Sequence, residues 1–359
     1  MGAMQRRPHV TEGRAVIEAT TIRWGILGTA EIARRHMIPA LQGADLCTLG
    51  AIASRSTRRA GEVAQRHGIP VAHGSYQALL ADPDIDAVYV PLPNHLHATW
   101  IIKAADAGKH VLCEKPLTLT ARQAADVAEH CDRRGVLLME AFMYRFHPAW
   151  QTGRMLLAAG AIGEVTGVDI HFAFRTTRAD DYRMIPRCGG GALYDVGCYA
   201  VNVSRMLLGD DPQQVVAAAH IHPERGVDMT TSAILDYGSG YATFTCSMEQ
   251  EPDHRVDVYG TEGRLAIDDP FNCPPDRPTR IVITTGGDDV PHDSTSRVVE
   301  VPPANQYGLQ ASAFSRAILE GRPAPLPPDD AIANLRVMER VFAAAGLRLA
   351  PSGGIKVSR

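Results

Sequence analysis

Two segments carry residues suited to delivering a proton to an oxygen. Lys115 lies in Val111-Leu-Cys-Glu114-Lys115-Pro116; Asp195 and Tyr199 lie in Gly190-Gly-Ala-Leu-Tyr-Asp195-Val-Gly197-Cys-Tyr199. When a ketone accepts a hydride its oxygen becomes negative, and an ammonium and a phenol can stabilise and protonate it. A free phenol titrates near pH ~10, so a neighbouring lysine is expected to bring it closer to neutrality. Asp195 precedes Tyr199 by one helical turn. On a helix the two share a face, where the carboxylate can bind a substrate hydroxyl or orient the phenol. Plainer roles compete: a water-facing lysine, a core tyrosine with a satisfied hydroxyl, and an aspartate capping a helix after the glycine turn.

The stretch Ile22-Arg-Trp-Gly25-Ile-Leu-Gly28-Thr29-Ala30-Glu-Ile32-Ala33 runs from an apolar strand through glycine into a helix. That is the layout of a dinucleotide-binding βα unit, with helix amides facing a pyrophosphate. Alanine stands at position 30, where the second glycine of G-x-G-x-x-G/A is usual. About 20 residues on, an NAD enzyme places an acid against the ribose hydroxyls. Here the chain reads Ser54-Arg55-Ser56-Thr57-Arg58-Arg59, with no carboxylate before Glu62. A hydroxyl with the guanidinium forks of Arg55 and Arg59 suits a 2′-phosphate, so the expected cofactor is NADP.

These residues need elements to hold them. Short apolar runs at Ile22–Leu27, Leu46–Ala53, Ala87–Val90, His110–Cys113 and Val136–Met139 alternate with helical stretches such as Ala98–Ala107 and Ala121–Arg134. This predicts a doubly wound parallel sheet over residues 21–141. Ligands bind beyond the carboxyl ends of such strands. The loops there include Pro91-Leu92-Pro93-Asn94-His95-Leu-His97, Glu114-Lys115 and Tyr144-Arg145. Leu92, Asn94 and Glu114 are thus cofactor-side candidates, and Arg145 either reaches the cofactor or anchors the hinge. From residue 142 the pattern turns to period-two runs: Gly163–Arg175, Val215–His222, Ser232–Tyr237, Tyr241–Met248 and Arg255–Gly260. They predict an α+β domain over 142–359, with a large, mostly antiparallel sheet covered on one face and a helix at 331–345. The other face is expected to be apolar and to bind a second copy.

The 359 residues are 45% hydrophobic and carry a net charge of −4, so the broad basic field needed for nucleic acid is missing. No run approaches the ~18 apolar residues of a membrane span. Residues 1–20 lack an apolar signal core and are expected to be a disordered leader or remnant, in a cytoplasmic protein. The seven cysteines form no C-x-x-C pair, as suits reduced thiols. His220-Ile-His222 has no well-placed carboxylate beyond Glu224, so no metal is expected. Asp180-Asp181 reads as a solvated turn.

In order and over nearly the whole chain from Ile22, these motifs resemble the Gfo/Idh/MocA family, the relatives of glucose-fructose oxidoreductase and inositol dehydrogenase. The Glu114-Lys115-Pro116 triplet followed by the Gly-Gly-x-x-x-Asp-x-Gly-x-Tyr segment carries most of the likeness. The resemblance implies a nicotinamide enzyme acting on a sugar-like alcohol or ketone, with the second domain as substrate floor. It also implies that Lys115 touches both the nicotinamide ribose and the reacting oxygen, that His97 contacts the cofactor, and that sheets pair into dimers or tetramers. Many members carry histidine where this chain has Tyr199. The tyrosine branch most resembled is that of NADP-dependent nucleotide-sugar C-3 ketoreductases of antibiotic deoxysugar (digitoxose-type) biosynthesis. That implies reduction of a dTDP-linked 3,4-diketo-2,6-dideoxy sugar, with Arg175, Arg178, Arg183 or Arg187 near the diphosphate. The alternatives are an NADP-linked aldose or trans-dihydrodiol dehydrogenase and, from another class, a redox sensor that binds NADP without turnover. Keeping Lys115, Asp195 and Tyr199 together argues against the sensor.

Overall fold

The structure is a computed structural model that describes residues 21–176, 178, 180–209, 211–286 and 295–351; the expected leader at 1–20 lies outside them. Six strands form the first sheet: β1 (Ile22–Leu27), β2 (Cys47–Ala53), β3 (Val71–His73), β4 (Ala87–Val90), β5 (His110–Cys113) and β6 (Leu138–Glu140). All pair in parallel, in the order β3-β2-β1-β4-β5-β6. This is the doubly wound Rossmann order, whose switch point falls between β1 and β4. Both faces are covered, so its central strands are almost wholly apolar: Trp24, Ile26 and Leu27 of β1 and all of β4 are buried.

Two strand expectations need correcting, and one strand was not anticipated. Leu46 adopts a φ of 62°, off the strand conformation, so β2 begins at Cys47. Val136 is spent on the preceding helix: its N–H returns to Cys131 O (3.1 Å) after Gly135 turns the chain, and β6 begins at Leu138. The short edge strand β3 has no apolar alternation to announce it.

The second sheet has eight strands: β7 (Val165–Ala173), β8 (Gln214–Ile221), β9 (Asp228–Asp236), β10 (Tyr241–Ser247), β11 (Asp253–Gly260), β12 (Gly263–Ile267), β13 (Thr279–Thr285) and β14 (Thr295–Val301). Their order is β14-β13-β12-β11-β7-β10-β9-β8; every pair is antiparallel except β7 with β10. The sequence reading missed β12, which precedes the proline-rich loop 270–278, and β13 and β14, which follow it.

Helices cover the inner face of this sheet. Cys198–Leu208 packs on β7 and β10, Pro148–Ala158 on β12 and β13, and Pro328–Ala344 on β8. The last helix starts three residues before the expected 331 because Pro328, at its first position, has its φ already set for a helix. A helix the sequence reading missed, Gln306–Leu319, returns to the first sheet, where Trp24 Nε1 donates to Ser315 Oγ (3.1 Å). Among the described residues no helix is long and apolar enough to cross a membrane.

Candidate active site

A cavity of about 850 Å³ opens at the carboxyl ends of the first sheet and runs to the inner side of the second. One end is the turn after β1. Gly28 has a φ of +122°, which a side chain would strain, and a Cβ there would press on Leu92 at 3.2 Å. Ala30 and Ile32 line the wall, Thr29 is buried behind it, and helix 31–43 leads away. The turn that expects a pyrophosphate is therefore present, with Ala30 at its second position on the cavity wall.

The residues after β2 gather beside it. Ser54 is buried and its Oγ accepts from Ser56 N (3.3 Å). Arg59 is on the cavity wall, and Arg55 reaches the Tyr76 hydroxyl, which sits 3.7 Å from where a Gly28 Cβ would be. Among the described residues neither arginine is paired with a carboxylate. Unneutralised guanidinium groups beside a dinucleotide turn suit an added phosphate.

At the far end Lys115, Asp195 and Tyr199 come together, as expected. Lys115 Nζ donates to the backbone oxygen of Asp195 (2.6 Å) and to its Oδ1 (3.2 Å). Asp195 Oδ2 accepts from Arg183 Nε (2.7 Å). Burial opposes the Asp195 charge, but Arg183 and Lys115 outweigh it and hold the carboxyl at about 2. Burial likewise pulls Lys115 down, while Asp195 lifts it above the ordinary lysine value. Asp195 thus binds the lysine and does not contact the phenol.

Tyr199 departs from expectation in one respect. Its ring packs against Phe142, Phe172 and Phe271, with Lys115 Nζ 5.1 Å from the ring centre. Its hydroxyl donates to Met143 Sδ (3.5 Å). Burial, reinforced by Glu114, pushes its pKa well above 10 rather than toward neutrality. At neutral pH both Lys115 and Tyr199 keep their protons.

Other expected contacts divide. Leu92, Asn94 and Glu114 line the cavity; Glu114 accepts from the Tyr89 hydroxyl, and Asn94 Nδ2 donates to Gly189 O (2.8 Å). His97 does not line it. It is fully buried, with its ring nitrogens 2.9 Å from Pro116 O and 2.7 Å from Leu92 O, so it ties two cavity loops together instead of touching a cofactor. Burial lowers its pKa to about 4, so the ring is neutral. Arg145 is likewise off the wall: its Nη1 donates to Asn202 Oδ1 (3.1 Å) and lies 3.6 Å from Asp330, which makes it the anchor of the two roles left open.

Arg178 is on the wall but paired with Asp180 (3.3 Å), and Asp181 pairs with Arg183 (3.2 Å) instead of forming a solvated turn. Arg183, weighed only as a phosphate ligand, proves to be the main partner of Asp195. Tyr307, from the unanticipated helix, also lines the cavity. No periodicity marks either contact, since each joins segments distant in the chain.

Comparison with known proteins agrees with this geometry. Residues 22–142 match the family model described as the Gfo/Idh/MocA oxidoreductase family, NAD-binding Rossmann fold, and residues 150–266 match its C-terminal domain. The chain is 41% identical over 326 residues to D-xylose 1-dehydrogenase (NADP(+)) 2 of Haloferax volcanii, covering 90% of this chain and 97% of that one. It is 36% identical over 304 residues to the dTDP-3,4-didehydro-2,6-dideoxy-alpha-D-glucose 3-reductase of Actinomadura kijaniata, covering 84% and 89%. The crystal structure of a 3-ketoreductase from A. kijaniata, in complex with NADP and TDP-benzene, superposes with a TM-score of 0.84 at 34% identity, covering 90% of this chain and 98% of that one.

Proposed function

The chain belongs to the Gfo/Idh/MocA oxidoreductase family, and from that premise we propose that it is an NADPH-dependent reductase of a sugar carbonyl. One observation carries the reading. A single cavity has a dinucleotide turn and Arg59 at one end and the Lys115–Asp195–Tyr199 group at the other. Bound NADPH supplies a hydride. Gly28, Thr29, Ala30 and Ile32 cradle its pyrophosphate, Ser54, Arg55 and Arg59 take its 2′-phosphate, and Leu92, Asn94 and Glu114 flank its nicotinamide half.

The remaining chemistry is the protein's. Asp195 uses two of the three ammonium donors of Lys115, leaving the third for an oxygen in the cavity. There the ammonium stabilises the negative charge as it forms. Tyr199 keeps its proton at neutral pH and gives it to that oxygen. Two protonated groups favour reduction; oxidation would need one of them to act as base and so would rise with pH.

The substrate end favours a neutral, polyhydroxylated sugar. Its arginines are matched by acids: Arg183 by Asp195 and Asp181, and Arg178 by Asp180. A diphosphate would have to displace those carboxylates, whereas hydroxyls can bond to both partners of each pair. The likeness to a xylose dehydrogenase supports this reading. The second reading is reduction at C-3 of a dTDP-linked deoxysugar. It is favoured by the likeness to 3-ketoreductases and by the exposure of the Arg178–Asp180 pair, since exposed pairs are weak enough to open. NADPH oxidation assayed against free aldoses, free keto sugars and dTDP-linked keto sugars separates the two. Turnover of free sugars is expected; turnover of dTDP-sugars alone selects the second reading. NADPH binding without turnover of any sugar would overturn both in favour of a sensor.

A further inference from the structure

The helix that carries Asp195 and Tyr199 begins around Ala192, its first turn Leu193–Gly197 running on into Cys198–Leu208. Its first amides have no intrahelical acceptor, and no side chain of the preceding segment caps them. The cap comes from the sheet on which the helix packs. Asp228, the first residue of β9, is buried, and its Oδ2 accepts from Leu193 N (2.8 Å) and from Thr231 Oγ1 (2.8 Å). The Ala192 amide also donates to this carboxylate. Gly191, at a φ of +110°, makes the approach possible, since a Cβ there would overlap Asp228 Oδ1. The third glycine of the Gly189-Gly190-Gly191 run is thus explained by a residue 37 positions away.

We propose that Asp228 is a positioning residue for Asp195 and Tyr199, fixing the start of their helix and so the fit of Asp195 on Lys115. Asp195 lies within the first turn after the cap, and both its backbone oxygen and its Oδ1 hold Lys115. Slack at Ala192 and Leu193 therefore reaches both bonds, and Tyr199 one turn later. The kinetic part of this inference rests on the reductase reading; the structural part does not.

The cap is sensitive to pH. Burial favours the neutral acid and lifts Asp228 to about 6, against Thr231 and the Leu193 and Ala192 amides, which favour the carboxylate. The titratable groups near it are Tyr194 on the helix and Cys246 on β10, both kept protonated by burial. Arg348 lines the same cavity of about 420 Å³ behind the turn. When Asp228 takes a proton, one of its oxygens becomes a donor and the helix start loses an acceptor.

The test uses the full chain and the variants Asp228→Asn and Thr231→Val. Amide hydrogen exchange over residues 191–199, referred to a β1 peptide, is measured against pH together with kcat, KM and the NADPH dissociation constant. In the unaltered protein, protection over 191–199 and, at saturating NADPH, kcat should both fall below pH about 6. Thr231→Val removes a donor that favours the carboxylate, so both falls should move to higher pH. Asp228→Asn should lower kcat about 10- to 100-fold, abolish this pH step and leave NADPH affinity within about twofold. Unchanged protection and kcat in Asp228→Asn would overturn the proposal. So would a Thr231→Val profile that does not move, since Asp228 would then brace the fold without positioning the site. If no sugar is turned over, the exchange measurement decides alone.

Discussion

Lys115 and Tyr199 illustrate how burial and a single carboxylate divide two roles between neighbouring groups. The ammonium stays charged because Asp195 is close enough to offset its desolvation; the phenol has no such partner and stays neutral. Tyr199→Phe removes a proton donor without touching Gly28, Ser54 or Arg55. NADPH affinity should therefore persist while kcat falls on the order of 10²–10⁴-fold, as seen by fluorescence titration beside steady-state kinetics. Lys115→Glu should be worse, since it sets a second negative charge against Asp195 and the forming oxyanion. Near-full activity in Tyr199→Phe with a severe lysine defect would make Lys115 the donor. Cofactor choice is decided at the other end of the cavity. A charge-assisted bond to a 2′-phosphate contributes roughly 1.5–3 kcal/mol, so NADPH should bind at least about tenfold more tightly than NADH. Arg55→Ala should remove most of that gap in calorimetry, and equal affinities in the unaltered protein would refute the assignment.

At the scale of elements, the cavity is held by loops, and loops are where the sequence was least legible. β1, β4 and β5 were readable to the residue because strands covered on both faces must be continuous apolar runs. The motifs at their ends were readable because glycine, lysine and the Gly-Gly turn are chemically distinctive. Pairings across loops were not readable: nothing in the spacing of His97, Arg145 or Arg183 says which distant oxygen each will meet. His97 shows the consequence. Its neutral ring spans the carbonyls of Leu92 and Pro116, joining the loop after β4 to the loop that carries Lys115. A neutral imidazole has one N–H and donates to one of these carbonyls at a time, so His97→Leu leaves that carbonyl buried without its donor, at a cost of about 1–3 kcal/mol. The melting temperature should drop, and NADPH binding should weaken along with kcat, because both cavity walls loosen together. A variant with lowered melting temperature but unaltered NADPH affinity would show that the tie serves the fold alone.

For the whole molecule, the open question is the uncovered face of the second sheet. The expectation of an apolar face is only partly met. The strand register sets one row across the whole sheet: Val216, Ile234, Thr243, Asp169, Asp257, Ala266, Val282 and Val298. Its ends are apolar and exposed, at Val216, Ile234 and Val298, but its middle is polar. Thr243 donates to Asp169 (2.8 Å), and Asp257 is flanked by Arg255 (3.7 Å) and Arg264 (3.6 Å). Hydroxyl pairs such as Ser232–Thr245 (2.8 Å) continue the pattern. A sheet of eight strands that satisfies its central polar groups internally, yet leaves branched side chains bare at both ends, suits a flat partner of the same kind better than water. An antiparallel two-fold partner would set the Val216–Ile234 end of one copy against the Val298 end of the other. We therefore expect a dimer by light scattering at micromolar concentration. Ile234→Arg should shift it to monomer because a charge is then buried without a partner. The active-site cavity lies on the opposite side of this sheet, so NADPH affinity in the variant should be unchanged. A monomer in the unaltered protein would rule this assembly out, and a dimer indifferent to Ile234→Arg would place the interface elsewhere.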